Sequence, residues 1–107
     1  MRKTAVLEKD IERALVRMVK QRGGLCLKWS CPGLRGVPDR IILLPGGKVI
    51  FAELKRPEGG RLSALQSVFA RRLAAMGHTW LLISRQEDIT ALEACLDQQE
   101  QEGAGCV

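Results

Sequence analysis

The chain has 107 residues, 46% of them hydrophobic and 27% charged, which fits one folded domain and argues against intrinsic disorder. No apolar run approaches the ~20 residues that a membrane span needs, and the charged amino-terminus lacks the apolar core of a signal peptide, so we expect a cytoplasmic protein with no membrane partner. The net charge of +5 suits a polyanionic partner, but a plain surplus of surface lysine and arginine would give the same value.

A helix and a strand are predicted in the first thirty residues. Apolar residues recur at helical spacing from Ala5 to about Arg22, with Thr4 as the expected cap and Gly23-Gly24 as the end. The alternating segment from Leu25 to Ser30 predicts a strand. A loop rich in glycine and proline follows it.

The middle of the chain predicts a β-hairpin. Two apolar, partly β-branched segments, Arg40–Leu44 and Lys48–Lys55, are separated by the turn sequence Pro45-Gly46-Gly47. A polar, glycine-rich loop from Arg56 to Leu62 comes after the hairpin. These features place two adjacent strands in antiparallel contact.

The last third of the chain predicts a helix, a strand and a second helix. A capping box at Ser63–Gln66 opens a helix that ends at Gly77, and its apolar stripe is expected to be buried: Leu65, Val68, Phe69, Leu73 and Met76. His78–Ser84 predicts a strand, and a second capping box at Ser84–Glu87 opens the last helix. We expect residues 1–100 to form the domain and residues 101–107 a flexible tail.

The predicted order of elements is α-β-β-β-α-β-α. A hairpin followed by a strand that returns after a helical crossover favours a mixed β-sheet flanked by helices. The expected fold class is therefore α/β, built as one domain.

A group of charged residues at the predicted hairpin indicates chemistry. Glu53 and Lys55 alternate along a strand and therefore share a face, and Asp39 stands at the entrance of the neighbouring strand behind Pro38. Two carboxylates beside an ammonium group suit a hard divalent cation and a reacting phosphate, and the carbonyl oxygen of Leu54 is a further candidate ligand. The alternative is an ordinary surface ion pair with no function.

These residues carry a family resemblance. The segment GVPDRIILLPGGKVIFAELKRP, followed by Gln66 in LSALQ, resembles the VRR-NUC branch of the PD-(D/E)xK nucleases. The first-helix segment ERALVRMVKQRGG is similar to the opening helix of archaeal Holliday-junction resolvases, a related branch. The resemblance runs from about Leu7 to Ser84 and implies a restriction-endonuclease-like fold with activity that depends on Mg²⁺ or Mn²⁺.

The resemblance assigns roles to individual residues. Asp39, Glu53 and Lys55 occupy the catalytic motif, and Glu12 on the first helix is expected to complete the metal site, with Glu8 as the alternative. Gln66 is expected to contact the site or the DNA backbone. Its other reading is the capping-box partner of Ser63, and we expect one rotamer not to serve both roles.

The resemblance also implies a DNA substrate. Candidate DNA contacts are Lys28, Arg40, Arg56 and Arg61, and further basic residues cluster around the first helix and near the site loop. Stand-alone relatives resemble homodimers, and a two-fold dimer would place two sites on opposing strands. The last helix, or Trp29 and Trp80, are candidates for its interface.

The expected function is structure-selective endonuclease cleavage of branched DNA, such as a four-way Holliday junction or a flap, by a homodimer in a bacterial cytoplasm or a phage-infected host cell. The alternative is a non-catalytic nucleic-acid-binding module of the same fold. A metal requirement for cleavage separates the two.

Overall fold

The computed structural model describes residues 8–104, which form a four-stranded sheet and three helices. In chain order the elements are α1 (Glu8–Gln21), β1 (Leu25–Lys28), β2 (Arg40–Leu44), β3 (Lys48–Leu54), α2 (Ala64–Ala75), β4 (Thr79–Ile83) and α3 (Gln86–Ala104). The predicted order is confirmed, and so is the α/β class. The expected helix cap, Thr4, lies outside the described residues.

The strands lie in the order β1-β2-β3-β4 within one mixed sheet. The first three are antiparallel, whereas β4 runs parallel to β3 after the crossover through α2. Since β2 and β3 are antiparallel, the start of β2 lies beside the end of β3, and the parallel strand β4 ends at the same edge. This edge of the sheet holds the candidate site.

One face of the sheet carries the hydrophobic core. Side chains of alternate strand residues, among them Ile42, Ile50 and Ala52, are buried against α1 and α3. Ile11, Leu15 and Met18 of the apolar stripe predicted on α1 are buried there, and Val19, which the prediction does not include, is buried with them. Among residues 8–104, no helix is long and apolar enough to cross a membrane.

The other face of the sheet is covered by an aromatic cluster. The Trp29 ring lies 5.6 Å from Phe51 of β3 and 6.1 Å from Phe69 of α2, measured between ring centroids. The His78 ring meets Phe51 edge-on, with 5.6 Å between the ring centroids. This cluster joins α2 to the sheet, and it covers only part of that face.

The prediction that the α2 stripe is buried is wrong for most of its length. Leu73 is buried, but Leu65, Val68 and Met76 remain 47%, 42% and 64% exposed. Helical periodicity shows which residues share a side, and it does not show whether the same chain covers that side. Here α2 contacts chiefly β4, so its stripe lacks an intramolecular partner along much of its length.

Both ends of α3 differ from the sequence prediction. The carboxylate of Asp88, rather than of Glu87, accepts hydrogen bonds from the backbone N–H groups of Ser84 (2.9 Å) and Arg85 (3.1 Å). At the other end α3 continues to Ala104, four residues into the predicted tail, and residues 105–107 lie outside the described range. Arg22 anchors the turns of α3 that precede this extension, because its guanidinium group donates to Asp97 and to Glu100.

Gly36 fixes the loop that leads into β2. Its φ angle is +87°, and an added Cβ atom would lie 2.4 Å from the Leu65 carbonyl oxygen at the start of α2. Backbone cannot yield as a flexible side chain does, so the loop and α2 would have to separate.

We therefore expect Gly36→Ala to lower the free energy of unfolding by more than about 2 kcal/mol, since it combines backbone strain with a steric clash. Gly33→Ala is the matched control, because Gly33 has a φ of +84° and open space around its Cβ position. Urea unfolding followed by circular dichroism measures both variants. Equal losses of stability would contradict the importance of the Gly36–Leu65 contact.

Candidate active site

The sheet register brings Asp39 beside Glu53. Arg40 pairs with Ala52 across β2 and β3, so the preceding Asp39 stands opposite Glu53, and cross-strand neighbours project from the same face. The Asp39 Oδ2 atom accepts a hydrogen bond of 2.8 Å from the Leu54 N–H group. The Asp39 carbonyl oxygen accepts another, also 2.8 Å long, from the Trp29 N–H group. Asp39 is thus held at both its backbone and its side chain.

Glu53 is a buried acid with an incomplete set of partners. Its side chain is 2% exposed, and its Oε2 atom lies 3.7 Å from the Lys55 Nζ atom. The Oε1 atom is buried and has no hydrogen-bond partner among the described residues. Burial, followed by the neighbouring Asp39 carboxyl, raises the pKa of Glu53 to about 8, although Lys55 opposes the shift. In the metal-free protein Glu53 therefore holds a proton at neutral pH.

Gln66 links the start of α2 to Glu53. Its Oε1 atom accepts a 2.8 Å hydrogen bond from the Ser63 N–H group, which completes the capping box of α2. Its Nε2 atom donates a 2.8 Å hydrogen bond to Glu53 Oε2. One rotamer therefore serves both roles, and the expectation that it does not is wrong. The two ends of the amide group point in different directions, which permits both contacts.

Lys55 lies just beyond the end of β3. Its N–H group donates a 3.1 Å hydrogen bond to the Ile83 carbonyl oxygen, which extends the parallel pairing with β4 by one residue. The side chain is half-buried, and its ammonium group faces Glu53. The backbone of Lys55 is thus fixed, and its ammonium group is held beside the Glu53 carboxyl.

Glu12 lies apart from this group. Its carboxylate forms an ion pair with Arg40, whose hydrogen bond lowers the pKa of Glu12. Residues 8–104 contain no cluster of three or more His, Cys, Asp and Glu side chains at metal-binding distance. The structure thus brings Asp39 and Glu53 together and does not add Glu12 or the exposed Glu8 to them.

The candidate DNA contacts fall into two groups. Arg56 and Arg61 are exposed on the loop that follows β3, on the side of the site. Lys28 and Arg40 are cross-strand neighbours on the side of α1. Arg40 is only 7% exposed and donates to the Cys26 carbonyl oxygen at 3.1 Å, so it serves to hold Glu12 and β1. Arg40 stands two residues before the buried Ile42 in β2, so strand alternation puts both side chains on the same face of the sheet. The sequence could therefore have shown that Arg40 points toward the core.

The carboxylate pair fits a hard divalent cation. Two acidic side chains converge, and one buried carboxylate oxygen, Glu53 Oε1, accepts no hydrogen bond from any donor in the described part of the chain. A buried oxygen of this kind is costly unless it gains a proton or a metal ion. Mg²⁺ and Mn²⁺ prefer oxygen ligands and retain several waters, so Asp39 and Glu53 suffice as the protein ligands.

Comparison with known proteins agrees with this geometry. No family model matches the chain. A curated protein named "Putative nuclease p44", from Acyrthosiphon pisum secondary endosymbiont phage 1, is 40% identical over 89 residues, which cover 83% of this chain and 95% of that protein. A solved structure of a VRR_NUC domain superposes with a TM-score of 0.73 and 25% identity, covering 80% of this chain and 94% of the other. The chain therefore belongs to the VRR-NUC nucleases.

Proposed function

We propose that this nuclease is an endonuclease that hydrolyses phosphodiester bonds in DNA with Mg²⁺ or Mn²⁺. The observation that carries the proposal is the pair of Asp39 and Glu53 beside Lys55, with a buried carboxylate oxygen of Glu53 that accepts no hydrogen bond from a described donor. A surface ion pair without function does not require a buried acid. The elevated pKa of Glu53 is typical of a catalytic or metal-binding carboxyl group.

Each side chain has a separate task in this proposal. Asp39 and Glu53 would hold the cation, which when bound supplies an activated water and polarises the scissile phosphate. Lys55 lies beside these carboxylates, where its ammonium group orients the attacking water and stabilises the charge that develops on the phosphate. Gln66 fixes the rotamer of Glu53 through its 2.8 Å hydrogen bond.

The proposal extends to a homodimer that acts on branched DNA. The candidate interface of Trp29, Trp80 and α3 is poorly suited, because Trp29 packs on Phe51 and the apolar side chains of α3 are buried in the core. A better surface consists of apolar side chains that the described chain leaves exposed on α2 and on the aromatic side of the sheet. We name it the α2 face: Leu25, Leu27, Val49, Leu65, Val68 and Met76.

A second copy of the chain is the natural occupant of the α2 face. The apolar side chains of the α2 face have no cover within the described chain, and contact between two copies would remove them from water. A two-fold contact matches each patch with itself. Such a pair would present two carboxylate sites, as symmetric cleavage of a four-way junction requires.

We expect Val68→Glu to convert the dimer to a folded monomer, because a charge would be buried at the two-fold contact. Val68 is 42% exposed in the single chain, so the fold itself should persist. Ala74→Glu, an exposed position off the apolar stripe of α2, is the matched control. Sedimentation velocity measures the mass, and Mn²⁺-dependent cleavage of a four-way junction, a flap, a duplex and a single strand measures selectivity.

In this experiment the wild type and Ala74→Glu should nick opposing junction strands in pairs, whereas Val68→Glu should leave single, unpaired nicks. Equal cleavage of the linear duplex and the branched substrates would contradict the proposed selectivity. A wild-type protein that sediments as a monomer would contradict the dimer.

A further inference from the structure

A groove beside α1 is lined by basic side chains that the carboxylate site does not use. We name it the α1 groove, after the cations that line it: Arg13, Arg17, Lys20, Lys28 and Arg40. Its remaining walls are Glu12 and Val16. Five cations therefore surround one acid in a single concave surface.

The acid of the α1 groove is already neutralised. Glu12 pairs with Arg40, and its low pKa, held down first by the hydrogen bond to Arg40, keeps it ionised as the partner of that cation. Arg13, Arg17, Lys20 and Lys28 are exposed and form no ion pair or side-chain hydrogen bond within residues 8–104. The groove thus presents four uncompensated positive charges to solvent.

These charges are spaced as a strand of nucleic acid requires. Lys9 extends the row of groove cations by one turn of α1, so that Lys9, Arg13, Arg17 and Lys20 follow one another at three or four residues along one side of the helix. At about 1.5 Å per residue they span ~16 Å. A DNA strand advances about 3.4 Å per phosphate along its axis, so the row matches roughly five phosphates.

The α1 groove begins at the edge of the sheet that holds the carboxylate site. Arg40 directly follows Asp39, and Lys28 pairs with Arg40 across β1 and β2. The carboxylate site, at Asp39, and the groove, at Arg40, thus begin at adjacent residues, whose side chains project from opposite faces of the sheet. A strand that leaves the site around this edge would enter the groove at Lys28.

We propose that the α1 groove binds the phosphate backbone of the substrate strand on one side of the cut, over about five nucleotides and without reading sequence. The placement relative to the cut rests on the proposed nuclease function. The affinity of the groove for a polyanionic strand does not, because it follows from the charges alone. Arg40 acts here by pairing with Glu12, the one acid that lines the groove.

The binding test compares two double variants that lose the same charge. Arg13→Gln with Arg17→Gln alters the groove, and the control, which we call the α2 variant, combines Arg71→Gln, off the apolar stripe of α2, with Lys48→Gln at the start of β3. Fluorescence anisotropy with labelled DNA in EDTA, over a series of NaCl concentrations, measures affinity without cleavage. We expect the groove variant to bind at least about tenfold more weakly at low salt, with a log–log salt slope smaller by about 2. The α2 variant should stay within about twofold of the wild type.

The cleavage test locates the groove relative to the cut. With Mn²⁺, the groove variant should show a raised KM and an unchanged kcat at saturating DNA. Trimming one side of the substrate to fewer than about five nucleotides should raise the KM of the wild type to that of the groove variant. The same trimming should scarcely change the KM of the variant itself. Trimming the other side should affect both proteins equally.

The proposal would be overturned if the groove variant and the α2 variant lost equal affinity for DNA, or if the groove variant kept the salt slope of the wild type. A wild type that binds DNA through the groove but never cleaves it would leave the groove standing and contradict the nuclease mechanism. A groove variant with wild-type affinity and a normal KM would contradict the role of the groove and leave the nuclease mechanism standing.

Discussion

Replacing Lys55 with alanine is expected to slow DNA cleavage by at least about a hundredfold, the effect of removing one stabiliser of the transition-state charge. The Lys55 Nζ atom lies 3.7 Å from Glu53 Oε2, and the Lys55 backbone is anchored to Ile83, so the position of this ammonium group beside the carboxyl is fixed from both ends. The loss should appear in the single-turnover rate at saturating DNA and Mn²⁺. Binding of Mn²⁺ should persist, since the carboxylate ligands remain.

Lys48→Ala is the matched control for this measurement. Lys48 is also a half-buried lysine, but it stands at the start of β3, whereas Lys55 follows the end of that strand, and Lys48 donates a hydrogen bond to Gln99 of α3. Its loss should leave the cleavage rate within about threefold of the wild type, because it contacts no group of the site. A Lys55→Ala protein that cleaves at a comparable rate would contradict the role assigned to Lys55.

Replacing Glu53 with glutamine is expected to abolish metal-dependent cleavage and to stabilise the metal-free protein at high pH. Glutamine is neutral and of similar shape, so it removes a metal ligand without leaving a buried charge. It can still accept a hydrogen bond from Gln66 Nε2, which holds Glu53 Oε2 at 2.8 Å in the wild type. Catalysis and stability should therefore change in opposite directions.

The pH dependence follows from the raised pKa of Glu53. The folded state binds this proton with a pKa of about 8, against an ordinary value of 4.5 for the unfolded chain. Between these values the folded state holds more protons, so the stability of the metal-free protein is full below about pH 4.5 and falls as the pH rises through about 8. In EDTA the Tm of the wild type should drop between pH 5.5 and 8.5, whereas that of Glu53→Gln should drop less.

Glu58→Gln is the control, because Glu58 is an exposed carboxyl on the loop after β3. The Tm of the Glu58→Gln variant should equal that of the wild type at every pH. Added Mn²⁺ should restore the Tm of the wild type at pH 8.5 and leave Glu53→Gln unchanged, since the ion binds the ionised carboxylate. Parallel pH profiles for the wild type and Glu53→Gln would show that Glu53 is not the titrating group.

Much of the fold is predictable because its signals are local. The Pro45-Gly46-Gly47 turn between two apolar segments predicts β2 with the observed bounds, Arg40–Leu44, and β3 to within one residue. The stripe of α1 and the capping box at Ser63 are equally local patterns. Along a strand, alternation alone predicts that Glu53 and Lys55 share a side.

The features that escape prediction depend on contacts between distant segments. The pairing of Glu12 with Arg40 joins residues that are far apart in sequence, and no local pattern shows which cation meets that acid. The double role of Gln66 requires the relative position of α2 and β3. The exposure of Val68 depends on how much of α2 the rest of the chain covers, which an apolar stripe does not show.

The central claim is that Asp39 and Glu53 bind a divalent metal ion, and titration of the wild-type protein with Mn²⁺ in a calorimeter tests it most directly. Since the pKa of Glu53 is about 8 in the metal-free protein, binding at pH 7 should release about one proton. Repeating the titration in two buffers with different ionisation enthalpies measures that release. We predict one-site binding with proton release that Glu53→Gln abolishes. No binding at millimolar Mn²⁺, or unchanged binding by Glu53→Gln, would contradict the account.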